Sequence, residues 1–258
     1  MHYRVFGHGK KVLLAFHGYG QDGNSFKILA DAMPEYSFYA FDLFFHGDSR
    51  IAGMRDERLL TIEMWGRILE LFLKREHITH FELLGFSMGG KFVFATLVVF
   101  PDRIDKINLI APDGVKNVRW YSMATGSQLM RAFFRRVVIK PEPFFSFLRI
   151  SRVFGLANPR MIRFAEREMD VVSKRKRVYN TWANFRYLKI RLSRIIFMIN
   201  NHNIPVHFYF GKHDKVITRK HVNPLIRSLN KKKVHVLNSG HTTLIQSVSD
   251  YVQKSGGL

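Results

Sequence analysis

Three residues far apart in the chain have the types and settings that acyl-transfer chemistry needs. Ser87 stands in Gly85-Phe86-Ser87-Met88-Gly89-Gly90, directly after the apolar run Phe81-Glu82-Leu83-Leu84 and at the start of a segment with helical spacing. In that context G-x-S-x-G predicts a sharp strand-to-helix turn, because flanking residues without Cβ let the backbones approach while the serine is exposed. The helix amino terminus that follows favours developing negative charge. A serine hydroxyl is a weak nucleophile, so it needs a base within hydrogen-bond reach and a third group to orient that base. Asp214 follows the apolar run Val206-His207-Phe208-Tyr209-Phe210, and His241 follows Lys233 to Leu237 within Ser239-Gly240-His241. Alone, each has an ordinary reading: a turn aspartate, a capping or core-packed histidine, a serine in a glycine-rich loop. The order Ser, Asp, His, with each residue where an apolar run ends, favours a nucleophile, Ser87, a base, His241, and an orienting acid, Asp214.

A tetrahedral intermediate formed at Ser87 needs preorganised N–H donors for its oxyanion. The backbone N–H of Met88, the residue after the nucleophile, is one candidate. The other is Tyr19 in His17-Gly18-Tyr19-Gly20, where glycines let backbone come close to substrate. His17 and Gly18 are accordingly expected at the substrate. The competing reading of this segment is a simple glycine turn.

These groups must be held by elements, and the pattern supplies them. Near-continuous apolar runs at Lys11 to His17, Ser37 to Leu43, His80 to Phe86, Asp105 to Ala111, Pro205 to Gly211 and Lys233 to Leu237 suit strands buried on both faces. Between them, Ser25 to Met33, Leu60 to Arg75, Gly89 to Phe100, Lys220 to Leu229 and Thr242 to Lys254 have helical spacing. Alternation of this kind predicts an α/β fold with a mostly parallel central sheet flanked by helices. It stops after Ala111-Pro112-Asp113-Gly114 and resumes at Ile204-Pro205. Residues 1–114 and 204–258 therefore read as one core, and 115–203 as an inserted helical lid that Pro141, Pro143 and Pro159 divide into several helices. Trp120 and Trp182, among the aromatics of that insertion, are candidates for an apolar substrate pocket. The plainer reading of such aromatics is the insertion's own packing.

Bulk properties narrow the classes. A chain of 258 residues, 47% hydrophobic, can bury one substantial core. There is no cysteine, which excludes disulfides, thiolate metal sites and a cysteine nucleophile. No apolar stretch of signal-peptide length opens the sequence and none reaches the roughly 18 residues that span a bilayer, so a cytoplasmic location is expected. His46, His202, His213 and His221 show no metal-ligand spacing, and neither G-x-G-x-x-G after a strand nor a P-loop lysine occurs; no metal and no cofactor is expected. The formal charge is +21, and Lys116 to Arg194 holds 19 Lys and Arg against four acids. Steering of anionic substrates, peripheral contact of the basic lid with an anionic membrane, and plain solvated surface all compete for that excess. Nucleic acid is not expected as a partner, since no recognised module is present.

The chain resembles the α/β-hydrolase superfamily over nearly its whole length. The matching motifs are His17-Gly18, the loop Asp42-Leu43-Phe44-Phe45-His46-Gly47-Asp48-Ser49, which is similar to the family's D-x-x-G-H-G-x-S, then the serine elbow, Gly211-x-x-Asp214 and Gly240-His241. Phe45 stands where the family usually has glycine, and only about ten residues precede the first apolar run, where the family often has two antiparallel strands. The resemblance implies a serine esterase-type mechanism: Ser87 attacks a carbonyl, His241 takes its proton, Met88 and Tyr19 hold the oxyanion, and water releases the acyl group. Lys91 lies just after the nucleophile, where some family members acting on carboxylated substrates carry Arg, which makes it a candidate for binding an anionic substrate; the plainer reading is that it points into solvent or a neighbouring loop. The expected activity is hydrolysis of a small-molecule carboxylic ester or related acyl compound. A lyase or C–C hydrolase on an anionic substrate, and a hydrolase-like protein that binds a ligand or a membrane surface, remain alternatives.

Overall fold

The computed structural model describes residues 1–49, 60–115, 126–155 and 159–256. Seven strands form one sheet: β1 (Tyr3–Phe6), β2 (Lys11–Phe16), β3 (Tyr36–Phe41), β4 (Phe81–Phe86), β5 (Ile104–Ile110), β6 (Val206–Gly211) and β7 (Lys232–Leu237). Their spatial order is β1-β3-β2-β4-β5-β6-β7, and every pair is parallel except β1 with β3. Six of these strands sit where the apolar runs predict them. β1 is the one the sequence reading lacks. It is four residues long and none of its side chains is buried, so it carries no apolar run to detect. It supplies a single antiparallel edge strand, the short version of the family's opening.

The expected alternation of elements holds. Helices α1 (Lys27–Asp31), α2 (Ile62–Arg75), α3 (Gly89–Val99), α8 (Leu192–Asn201), α9 (Arg219–Ser228) and α10 (Leu244–Ser255) belong with the sheet. On one face Phe16 stacks on Phe41 and meets Trp65 of α2 and Phe92 of α3 at ring separations of 5.4 to 6.1 Å, and Trp65 and Phe92 meet each other at 5.0 Å. The Trp65 indole N–H donates to Thr96 of α3 at 3.0 Å, so this fully buried ring leaves no polar atom unpaired. On the other face α1 and α10 cover Leu13, Ala15, Phe38, Ala40, Leu84 and Tyr209. Deleting any of these buried aromatics costs about 3–5 kcal/mol.

That second face also carries a buried polar row. Tyr36 and Asn108 donate to Glu82 at 2.8 and 3.2 Å, and the rings of His207 and His235 lie 5.8 Å apart. Burial, reinforced by Lys106 and Lys233, pushes the His207 imidazole down to about 4, so it is neutral at pH 7. Among the described residues, its Nδ1 and the Tyr209 hydroxyl lack a hydrogen-bond partner.

Contacts divide the described residues into two compact units, one of 1–49, 60–115 and 187–256, the other of 126–155 and 159–186. Residues 187–203, read from sequence as the end of the insertion, cluster with the sheet, because α8 buries Ile195 and Ile199 and packs on α3. The second unit contains α4 (Gln128–Ile139), α5 (Glu142–Val153), α6 (Pro159–Glu168) and α7 (Val172–Phe185). Pro141 is the N-cap of α5, Pro143 lies in its first turn and Pro159 opens α6, positions where a missing N–H costs nothing. The buried Arg175 guanidinium donates to the carbonyls of Val138, Met169 and Asp170, tying α4 to the start of α7. Among the described residues, no helix is long and apolar enough to cross a membrane.

Candidate active site

The elbow between β4 and α3 holds Ser87 with φ of 50°, a left-handed conformation that an L residue keeps only when its surroundings enforce it. Here the Ser87 N–H donates to Ile110 at 2.9 Å, while its carbonyl accepts from Gly90 at 2.9 Å and from Asp113 at 2.8 Å. The glycines answer to steric need. A Cβ on Gly89 would lie 1.9 Å from the Phe16 carbonyl oxygen, and one on Gly85 would lie 2.7 Å from a Val93 methyl. The turn therefore closes only with glycine at both positions.

Asp214 follows β6 and His241 follows β7. The Asp214 side chain is buried: its Oδ1 accepts from Val216 and Ile217 N–H at 2.7 and 3.0 Å, and its Oδ2 faces His241 Nδ1 at 2.6 Å. Burial alone would raise this carboxyl; the hydrogen bond and charge of His241 and the two backbone donors outweigh it and hold the group below its ordinary value. An ionised carboxylate only accepts, so the His241 proton sits on Nδ1 and leaves the Nε2 lone pair facing Ser87 Oγ at 3.1 Å. The loops carrying Asp214 and His241 meet at Gly211, where a Cβ would stand 2.5 Å from the Ser239 carbonyl oxygen. The Phe86 ring lies 5.0 Å from the His241 ring and supports it from one side. The sequence reading did not assign Phe86; its only signal is its place next to Ser87.

A family model described as alpha/beta hydrolase fold matches residues 11–248. The chain belongs to this family. Solved structures with which this alpha/beta hydrolase shares its fold include a thermophilic esterase from Thermogutta terrifontis, 17% identical with a TM-score of 0.71, covering 98% of this chain and 90% of that one. An enol-lactonase from Burkholderia xenovorans LB400 is 19% identical with a TM-score of 0.65, covering 99% and 94%. The thioesterase domain from the curacin biosynthetic pathway is 16% identical with a TM-score of 0.63, covering 97% and 92%. No curated protein sequence matches the chain.

The remaining assigned residues of the hydrolase have different surroundings. Met88 leads into the first turn of α3, whose foremost N–H groups the helix itself cannot satisfy. The loop bearing Gly18 and Tyr19 is closed on itself: Gln21 N–H donates to the Gly18 carbonyl at 3.3 Å, and its side-chain oxygen accepts from Gly18 N–H at 3.1 Å. His17 is fully buried, its imidazole pushed down to about 3 by burial and by His46. The neutral ring donates from Nδ1 to the Gly18 carbonyl at 2.7 Å and accepts at Nε2 from Leu43 N–H at 3.0 Å. Both nitrogens serve the framework, which replaces the expectation that His17 touches substrate. Lys91 pairs with Asp113 at 3.2 Å, so its charge is answered within the chain. Trp182 packs at 5.7 Å on Phe134 in the second unit, and Trp120 lies outside the described residues.

Phe45, at the family's glycine position, has φ of 68°. The loop thus keeps the conformation that glycine would adopt freely, at a cost of about 1–2 kcal/mol. Next to it, buried Asp42 accepts from Gly23 and Asp48 N–H at 2.8 Å each and from Arg4 and His2, and these bonds override burial to hold it at about 2. His2, Asp42 and Asp48 form the one group among the described residues whose spacing suits a metal ion. Arg4 already pairs with both carboxylates, so the cluster reads as an ion-paired anchor for the loop.

Proposed function

We propose that the protein is a serine hydrolase that cleaves a carboxylic ester or related acyl compound through an acyl-enzyme. The observation that carries this reading is the continuous relay from Asp214 through His241 to Ser87, with contacts of 2.6 and 3.1 Å. Ser87 Oγ bonds to the carbonyl carbon as its proton passes to His241 Nε2, and the imidazolium formed is stabilised by the Asp214 carboxylate. The Met88 and Tyr19 N–H groups receive the oxyanion. Collapse breaks the bond to the leaving oxygen or sulfur, which takes the His241 proton. Water, deprotonated at Nε2, then attacks the acyl carbon and releases the acid and Ser87. The esterase, lactonase and thioesterase among the structural neighbours all break an acyl bond of this kind. With Lys91 paired to Asp113, nothing at the elbow favours an anionic substrate over a neutral one.

A fluorophosphonate probe tests the reading directly. Wild type is expected to be labelled at Ser87, Ser87→Ala not at all, and His241→Ala only at a rate lower by a factor of about 10³ or more. Ser87→Ala that retains full hydrolysis of p-nitrophenyl esters would sink the proposal.

A further inference from the structure

Two consecutive helices of the second unit hold large apolar side chains in water. On α4, Phe134, Val137 and Val138 are buried, and Phe134 meets the rings of Tyr179 and Trp182. A separate side presents Leu129, 80% exposed, and Phe133, 58% exposed, continued by exposed Arg136 and the C-cap residue Lys140. The spacing i, i+4, i+7, i+11 places these four in a single stripe, with exposed Ile139 beside it. On α5 and its C-cap, Phe147, Ile150 and Phe154 are 62%, 55% and 71% exposed and stand at i, i+3, i+7, a second stripe, with exposed Arg149 and Arg152 nearby. Scattered apolar residues are ordinary on a surface, whereas stripes of this size mark contact with something apolar.

Charge identifies the partner. The described residues of this unit contain 14 Lys and Arg against four acids. We propose that α4 and α5 dock on an anionic lipid bilayer, with Leu129, Phe133, Phe147, Ile150 and Phe154 entering the boundary between headgroups and acyl chains and Arg136, Lys140 and Arg149 meeting lipid phosphate. Arg and Lys interleaved with Phe and aliphatic residues on one helix face is the composition that binds such a surface peripherally. A nucleic acid would answer the charge and leave Leu129, Ile139 and Ile150 without an apolar partner. The inference uses none of the residues assigned to hydrolysis, so either can fail alone.

The test is flotation of the full chain with vesicles of phosphatidylcholine, with and without phosphatidylglycerol, at low salt and at about 0.5 M salt. The wild type is expected to float with the anionic vesicles at low salt and to be released by salt. Two variants, Phe133→Ser/Phe147→Ser/Phe154→Ser and Arg136→Gln/Lys140→Gln/Arg149→Gln, should each bind at least about tenfold more weakly, the second by about 100-fold from three cations at about fivefold each. A cooperative urea unfolding transition with the wild-type midpoint confirms that each variant is folded. As an independent readout, Phe133→Trp should show a blue-shifted emission on anionic vesicles, reporting entry of that side chain. No flotation at low salt, equal binding to neutral vesicles, or unchanged binding by the apolar triple variant would overturn the proposal. So would single-stranded RNA binding that exceeds vesicle binding and ignores the apolar substitutions.

Discussion

Asp214→Asn separates orientation of His241 from simple occupancy of the site. In the structure one carboxylate oxygen takes two backbone N–H bonds, from Val216 and Ile217, and the other faces His241 Nδ1 at 2.6 Å. An asparagine must choose which way to turn. Placing its NH2 against the two backbone donors loses both bonds and sets donor against donor, at about 1–3 kcal/mol for each group left unsatisfied. The amide therefore turns its NH2 toward His241 and donates to Nδ1. That moves the imidazole proton to Nε2, where the ring no longer accepts from Ser87. The expected loss in kcat/KM is about 10⁴-fold, roughly 5 kcal/mol of transition-state stabilisation, with all atoms of the site in place. Folding stability at pH 7 falls by only about 1–2 kcal/mol, because the backbone bonds persist. The assay is kcat/KM for a p-nitrophenyl ester beside urea unfolding of both proteins. A folded Asn variant within tenfold of wild type would refute the argument that the carboxylate sets the tautomer.

Comparing Phe45→Ala with Phe45→Gly cancels the lost ring and isolates the left-handed backbone at φ of 68°. The glycine variant should be the more stable by about 1 kcal/mol, read by urea unfolding, and an alanine variant of equal or greater stability would show that no strain is stored there. Gly211→Ala puts a methyl 2.5 Å from the Ser239 carbonyl oxygen and must push the loops of Asp214 and His241 apart. A drop of about 10² in kcat/KM should follow, larger than the effect on KM for binding alone. Acid should weaken the fold through His207. Its folded-state value of about 4 lies below the ordinary 6.5, so the unfolded chain gains the proton first. The stability it protects is complete above pH 6.5 and is lost as pH falls towards 4, by at most about 3 kcal/mol. His207→Leu should flatten that part of the stability-versus-pH curve, and an unchanged slope would place the effect elsewhere, the fully buried His17, held at about 3, being the next imidazole to test.

Much of this architecture was legible in the sequence because parallel strands buried on both faces leave continuous apolar runs. Six strands, and Ser87 and Asp214, each now found within hydrogen-bond reach of His241, were readable for that reason. β1 was not, since a four-residue edge strand without a buried side chain has no periodic signal. The end of the insertion was misplaced because α8 has the same amphipathic spacing as the helices before it; only its contact with α3 reveals which unit it joins. His17 illustrates a different limit. Its position beside Gly18 suggested substrate, while its two ring nitrogens are consumed by backbone groups, one of them in residue 43, that no spacing rule connects. Phe86 against His241 is likewise a contact between residues whose separation in the chain exceeds 150 positions, visible only in three dimensions.

The bond between Ser87 and His241 joins positions 154 residues apart. At a synthesis rate of about 5–20 residues per second, an emerging chain carries its serine elbow for roughly 10–30 s before the base that would activate it has been made. During that interval the hydroxyl is an ordinary alcohol, harmless to the esters and thioesters around it. On the proposed mechanism, reactivity is thus a property acquired late, only once β7 and the loop beyond it have joined the sheet. A nucleophile-directed probe applied to a synchronised translation reaction would consequently report completion of the fold rather than the appearance of the serine.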